Sequence, residues 1–295
     1  MVIDIFLVIS SIAIIYYISY NIIKGYKLVY EGSHPKKSKP IHLRNIPYRY
    51  REFDFQSQDK LKISAIEYIP KQNPKGTIIA CHYLGGSKTS IYTYIEPLLE
   101  AGYTVVSFDY PNHGESESRK SNKYTLEDDM KRFILKLKAL EIQGPYGTMG
   151  FSMGATIAIS AVDVLPEIKA IVVDSGPLIF VRDYFEYVLK NKNIKNKIER
   201  IVFLFFYLYI IGFYKMSRRM IKRLKEIKGI PILIIHSKKD KIISYKNARY
   251  AYDLVGSENS KLITVQKAHH LTNKVILGDK YDEAVLKFFE KWLMD

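Results

Sequence analysis

The sequence contains a single cysteine, Cys81, so no internal disulfide can brace the fold. Its setting in GTIIACHY marks it as an inert thiol on a buried strand. There is no Asn-x-Ser/Thr sequon, and no Cys/His spacing resembles a zinc site. No Lys or Arg precedes the first apolar run, and no small-x-small cleavage site follows it. Both absences argue against a cleavable signal peptide. No internal repeat is visible. Nor is there a nucleic-acid fold signature that would turn the net charge of +15 into a nucleic-acid reading.

What is present begins with the apolar run MVIDIFLVISSIAIIYYISYNII, interrupted only by Asp4 and Asn21. About 22 residues at roughly 1.5 Å each cross the hydrocarbon core of a bilayer. The run is apolar all round, unlike a core helix with one polar face. Residues 1–23 are therefore expected to be a transmembrane anchor and 24–46 a polar, Pro-containing linker. Lys24, Lys27, Lys36, Lys37 and Lys39 follow the run, which by the positive-inside rule leaves the rest of the chain in the cytoplasm.

From about Tyr48 onward, strand and helix patterns alternate, the signature of an α/β fold with a mostly parallel, doubly wound sheet. YRYREFDF and LKISAIEYI read as an antiparallel opening pair. TIIACH, YTVVSFD, YGTMGF, KAIVVD, IPILIIH and KLITVQ read as further strands. Helices are expected near 91–100, 125–140, 245–255 and 281–293, with another directly after YGTMGF.

The most telling stretch is MGFSMG, residues 149–154, where Ser152 sits between two glycines, after a strand and before a small-residue helix. Neighbours without a Cβ let a strand-to-helix turn close sharply, holding the hydroxyl above the sheet edge. The Met153 amide would then point where an oxyanion forms. A serine at neutral pH needs a base, and the base needs an orienting acid. Of the seven histidines, His34 and His42 fall in the linker. His82 and His236 end strands and His113 lies in a turn, all three reading as loop braces. QKAHHLTN, after the last strand, offers His270 as the base, with His269 as the alternative. Asp240, in IIHSKKDKII, is the acid, with Asp174 at the end of KAIVVD as its competitor. Ser152, Asp240 and His270 all fall just beyond strand ends, where open α/β sheets place their sites.

From about residue 50 the chain resembles the α/β-hydrolase superfamily, in particular its monoacylglycerol-lipase-like and serine-aminopeptidase-like esterase branch. The resemblance rests on CHYLGGS, DYPNHGES, GFSMG and HSKKD…AHH, in that order. It implies that the backbone amide of Leu84 is the second oxyanion donor beside Met153. Two departures stand out: Tyr83 replaces the glycine usual after the first histidine, and Ser237 replaces a glycine in the acid loop. The domain is expected over 47–295.

A further implication is a helical cap, at about 178–229. The segment from Arg182 to Lys228 carries 13 Lys or Arg against 4 Asp or Glu. In its middle lies IVFLFFYLYIIGFY, residues 201–214, which reads either as a helix buried over the pocket or as a segment dipping into the membrane between anionic head groups. Together these features give the expectation of a membrane-anchored serine hydrolase that cleaves acyl esters, lipid-derived ones among them, with no metal or organic cofactor and no nucleic-acid partner. The alternatives are an aminopeptidase, which needs an acidic group in the cap, and a non-catalytic binding protein of the same fold.

Overall fold

The computed structural model describes residues 2–38, 43, 46–120, 125–210, 212–227 and 229–294; Lys39 and His42 lie outside them. The expected antiparallel opening pair is β1 (Arg49–Gln56) with β2 (Lys62–Ile69), in register from Arg49↔Ile69 to Gln56↔Lys62. β2 runs antiparallel to β4 (Thr104–Phe108). The remaining strands are parallel: β3 (Thr77–Cys81), β5 (Tyr146–Phe151), β6 (Ile168–Asp174), β7 (Ile232–Ser237) and β8 (Lys261–Val265). The sheet order is β1-β2-β4-β3-β5-β6-β7-β8. Every residue of β3, β4, β5 and β7 is buried, as expected for strands covered on both faces, whose sequences are runs rather than alternations.

The chain leaves β3 toward β4 on one side, then returns to place β5 on the other. At such a reversal the connecting loops diverge and open a crevice at the carboxyl ends of the strands. The loops after β3 and β5 therefore face each other there, and both carry motif residues.

Helices α2 (Tyr92–Glu100) and α10 (Asp279–Leu293) cover one face, burying Ile95, Leu98, Leu99, Val285 and Phe289. On the other face lie α3 (Leu126–Ala139), α4 (Met153–Ser160) and α8 (Tyr245–Val255), with Met130, Phe133, Ala155 and Ala248 in the core. Thr125 and Asp128 form a reciprocal capping box that starts α3. A short helix α9 (Asn273–Leu277) precedes α10.

Between β6 and β7 the chain forms α5 (Val181–Asn191), α6 (Lys197–Phe205), a π-helical turn Phe206–Ile210 and α7 (Phe213–Glu226). The apolar run 201–214 is thus not one helix. Gly212, at φ 79°, breaks it and opens α7. Nor is it wholly buried: Phe203 and Tyr207 are, whereas Ile201 is 67% exposed. Ser217 Oγ donates to the Ile179 carbonyl and Ser244 Oγ to Asp183, tying these inserted helices to the body. Met220 and Leu224 of α7 join the main core, and Arg223 is buried against Asp163, Glu127 and Ser160.

The N-terminal helix α1 runs from Val2 to Ser33, continuing past residue 23. Its stretch Ile5–Gly32 is long and apolar enough to cross a membrane, and little of it is covered by protein. The chain after it is docked rather than loose. His34 Nε2 lies 2.9 Å from the Arg119 carbonyl, Lys37 donates to the Ser116 carbonyl, and Pro35 stands beside Gly85.

Candidate active site

β5 delivers Ser152 into a backbone conformation (φ 54°, ψ −113°) that L residues rarely adopt, and α4 begins at the next residue. The surrounding contacts hold it there. A β-carbon on Gly150 would stand 2.3 Å from the Gly154 carbonyl oxygen, and one on Gly154 would stand 2.1 Å from that of Cys81. Both glycines of the motif are therefore steric requirements. The Ser152 amide donates to the Asp174 carbonyl at 2.9 Å, and Ala155 N donates to the Ser152 carbonyl. The sharp turn lifts the side chain to the sheet's upper edge, where Ser152 is 8% exposed.

Three residues distant in sequence converge there. His270 Nε2 lies 2.9 Å from Ser152 Oγ, and His270 Nδ1 lies 2.7 Å from Asp240 Oδ2. The other Asp240 oxygen accepts the Ile242 and Ile243 amides at 2.8 and 3.0 Å, so this carboxylate is fixed in the turn after β7. With Nδ1 donating to Asp240, Nε2 accepts the serine hydroxyl. His269, the alternative base, points outward and is exposed.

Met153 is the first residue of α4, so its N–H is among the donors a helix start leaves without an intrahelical partner. Leu84 belongs to the loop after β3, which closes through Gly86 N donating to the Tyr83 carbonyl at 2.9 Å. Gly154 lies directly against the carbonyls of Cys81 and His82, so the β3 loop and the α4 start are in contact. Tyr83, in place of the usual glycine, lies partly buried against the apolar core on the α2 side.

His82, His113 and His236 serve structure. His82 is wholly buried, its Nδ1 donating to the Tyr83 carbonyl and its Nε2 accepting Tyr110 N. His113 donates from Nδ1 to the Pro111 carbonyl, and His236 from Nε2 to the Ile243 carbonyl. Burial lowers the pKa of all three, keeping them neutral. Burial likewise pushes the Cys81 thiol up to about 12, consistent with an inert thiol.

Asp174, the competing acid, does not meet His270. Its carboxylate accepts Ser175 Oγ at 2.7 Å, Asn273 Nδ2 at 2.6 Å and Tyr281 Oη at 2.8 Å, and burial raises its pKa. Ser175 Oγ in turn accepts Leu271 N at 3.1 Å, and Tyr94 Oη donates to the Leu271 carbonyl at 2.7 Å. Asp174, Ser175, Asn273, Tyr281 and Tyr94 therefore hold the His270 loop from behind. None of the last four was singled out by sequence, because single polar residues inside helices and loops carry no local pattern. Among the described residues no group of His, Cys, Asp or Glu is arranged to hold a metal ion.

Residues 76–201 match the family described as alpha/beta hydrolase fold. The structure superposes on an esterase of Pyrococcus furiosus with a TM-score of 0.71 and 21% identity, over 88% of this chain and 97% of that one. It superposes on a thermostable carboxyl esterase of Bacillus coagulans with a TM-score of 0.63 and 17% identity, over 82% and 98%. In sequence it is 21% identical to an abhydrolase domain-containing protein of Dictyostelium discoideum over 80% of this chain. That alignment spans only 28% of the longer protein.

Proposed function

The chain has the α/β-hydrolase fold, and from that premise we propose that it is a membrane-anchored serine hydrolase cleaving carboxylic esters of apolar acyl groups, lipid-derived ones included. The observation that carries this reading is the unbroken relay Ser152–His270–Asp240, at 2.9 and 2.7 Å. Ser152 Oγ attacks the ester carbonyl as His270 Nε2 takes its proton. Asp240 keeps the imidazole in the productive tautomer and stabilises the imidazolium. The amides of Met153 and Leu84 receive the tetrahedral oxyanion. His270 then gives its proton to the departing alcohol, leaving an acyl-enzyme on Ser152. Water, deprotonated by His270, attacks that acyl group, and collapse of the second tetrahedral species frees Ser152 and the carboxylic acid.

The aminopeptidase reading needs an unengaged carboxylate in the cap to hold a substrate ammonium. Each cap acid already has a partner: Asp183 with Ser244, Glu186 with Arg200, Glu199 with Lys24 and Glu226 with Lys222. That favours an uncharged, apolar substrate. Helix α1 is the anchor in this reading, with the hydrolase domain on the cytoplasmic side beside its lysines. Anionic lipid head groups are the partners its basic segments suit. The two esterases of the same fold are compatible with this chemistry.

The test is hydrolysis of p-nitrophenyl esters of graded chain length by the full chain in detergent. Turnover that rises with acyl length and vanishes in Ser152→Ala supports the reading. Absence of turnover on every ester, with the fold intact, contradicts it.

A further inference from the structure

Helix α6 does not merely sit near α1; it runs along it in the same direction. Asn196 Nδ2 donates to Tyr17 Oη at 2.7 Å, Glu199 pairs with Lys24 at 2.6 Å, and Phe206 meets Tyr26 edge-on. Higher numbers on one helix thus face higher numbers on the other. Gly25 permits this approach: a β-carbon there would stand 2.9 Å from the Val202 side chain. Beyond it, toward the domain, Val29 packs with Val181, Phe185, Leu189, Ile194, Phe203 and Tyr207.

This register measures depth. The uncharged stretch of α1 between Asp4 and Lys24 is the part that suits hydrocarbon, because about 20 residues fill its thickness. Lys24 then marks the boundary on the domain side. Tyr17 lies two turns inside it, about 10 Å at 1.5 Å per residue. A helix whose N-cap residue touches the Tyr17 hydroxyl is carried toward that level. The surface of α6 suits the place: Ile198 and Ile201 are exposed, 43% and 67%, on the side turned away from α1 and α5. Lys190, Lys192 and Lys195, on the chain that enters α6, are exposed, and Ile194 among them joins the cluster around Val29, on the domain side of Lys24, so these cations stand near the boundary, within reach of head groups. The one acid of α6, Glu199, is neutralised by Lys24.

We propose that α6 is a second membrane element. Resting on the anchor reading of α1, it lies in the boundary layer of the bilayer, with Ile198 and Ile201 among acyl chains and its lysines among anionic head groups. The occupant of this exposed apolar face is lipid. Because Pro35 beside Gly85 and His34 against Arg119 dock the chain after α1 onto the domain, the body is held at a fixed angle to the membrane. The loop bearing Leu84 then lies beside the anchor's exit.

The experiment uses the full chain in liposomes of neutral lipid with a fraction of phosphatidylglycerol. Single cysteines replace Ile12, Ile201 or Asn259, each carrying an environment-sensitive fluorophore; Cys81 is buried and stays unlabelled. Quenching by spin-labelled lipids reads depth. The proposal expects strong quenching at position 12, at least about half as much at 201 by shallow spin labels, and none at 259. In a Gly25→Leu background, the quenching at 201 falls severalfold while that at 12 remains. Quenching at 12 without quenching at 201 overturns the proposal and leaves the anchor intact. No quenching at 12 removes the anchor, and the proposal with it.

Discussion

Gly154 and Cys81 stand so close that no β-carbon fits between them: one built on Gly154 would lie 2.1 Å from the Cys81 carbonyl oxygen. The contact joins the start of α4 to the end of β3, and hence the serine turn to the loop that carries Leu84. Neither neighbour is a flexible side chain that can swing away. Gly154→Ala should therefore force the two apart, costing on the order of 1–3 kcal/mol of stability and most of the esterase turnover. Thermal melts and ester kinetics on the purified variant check both. A variant with unchanged turnover would show that the spacing is not needed.

The relay predicts a sharp contrast between adjacent histidines. His270→Ala should lower turnover by about 10⁴-fold, as should Ser152→Ala. His269→Ala, at an exposed position, should cost less than about threefold. Steady-state kinetics on a soluble ester decide it, and an inactive His269→Ala would reassign the base.

A similar contrast separates the two acids. Asp240→Asn should lower turnover by about 10³- to 10⁴-fold, because the imidazole loses its preferred tautomer. Asp174→Asn should instead loosen the His270 loop, with a far smaller loss of turnover and a lower melting temperature. Equal losses of turnover would mean that Asp174 shares the chemistry.

Much of this site was legible in the sequence. The parallel strands appeared as bounded apolar runs, and the glycine spacing around Ser152 implied the turn that the structure contains. Ser152, Asp240 and His270 follow strand ends, and strand ends can be read locally. What lay hidden was non-local. Tyr281 meets Asp174 across 107 residues, with no pattern in α10 to mark it. The split of 201–214 was masked by uniformly apolar residues, with Gly212 alone to signal it. The continuation of α1 to Ser33 was obscured by its lysines, which suit a helix as well as a linker.

Stability should depend on pH through the buried histidines. Burial lowers the pKa of His82, His113 and His236 in the folded state, so unfolding takes up protons below their unfolded value of about 6.5. Their contribution is full above that pH and is lost as pH falls toward the folded values. The raised pKa of Asp174 works the other way. The melting temperature should fall between pH 7.5 and 5.5. His113→Asn should flatten that slope by up to about 1.4 kcal/mol per pH unit. An unchanged slope would contradict a neutral, buried His113.

The lysines after the apolar stretch of α1 predict topology. In intact cells, added protease should leave the hydrolase domain undigested, and high salt should not release the protein. Digestion without lysis would reverse the orientation.

The most direct measurement is reaction of the full chain with a fluorophosphonate, followed by peptide mass spectrometry. A single adduct is expected on Ser152, absent in Ser152→Ala and slowed by orders of magnitude in His270→Ala, while His269→Ala labels normally. A folded protein that takes up no probe, or takes it up at another residue, would contradict a catalytic serine held by His270 and Asp240.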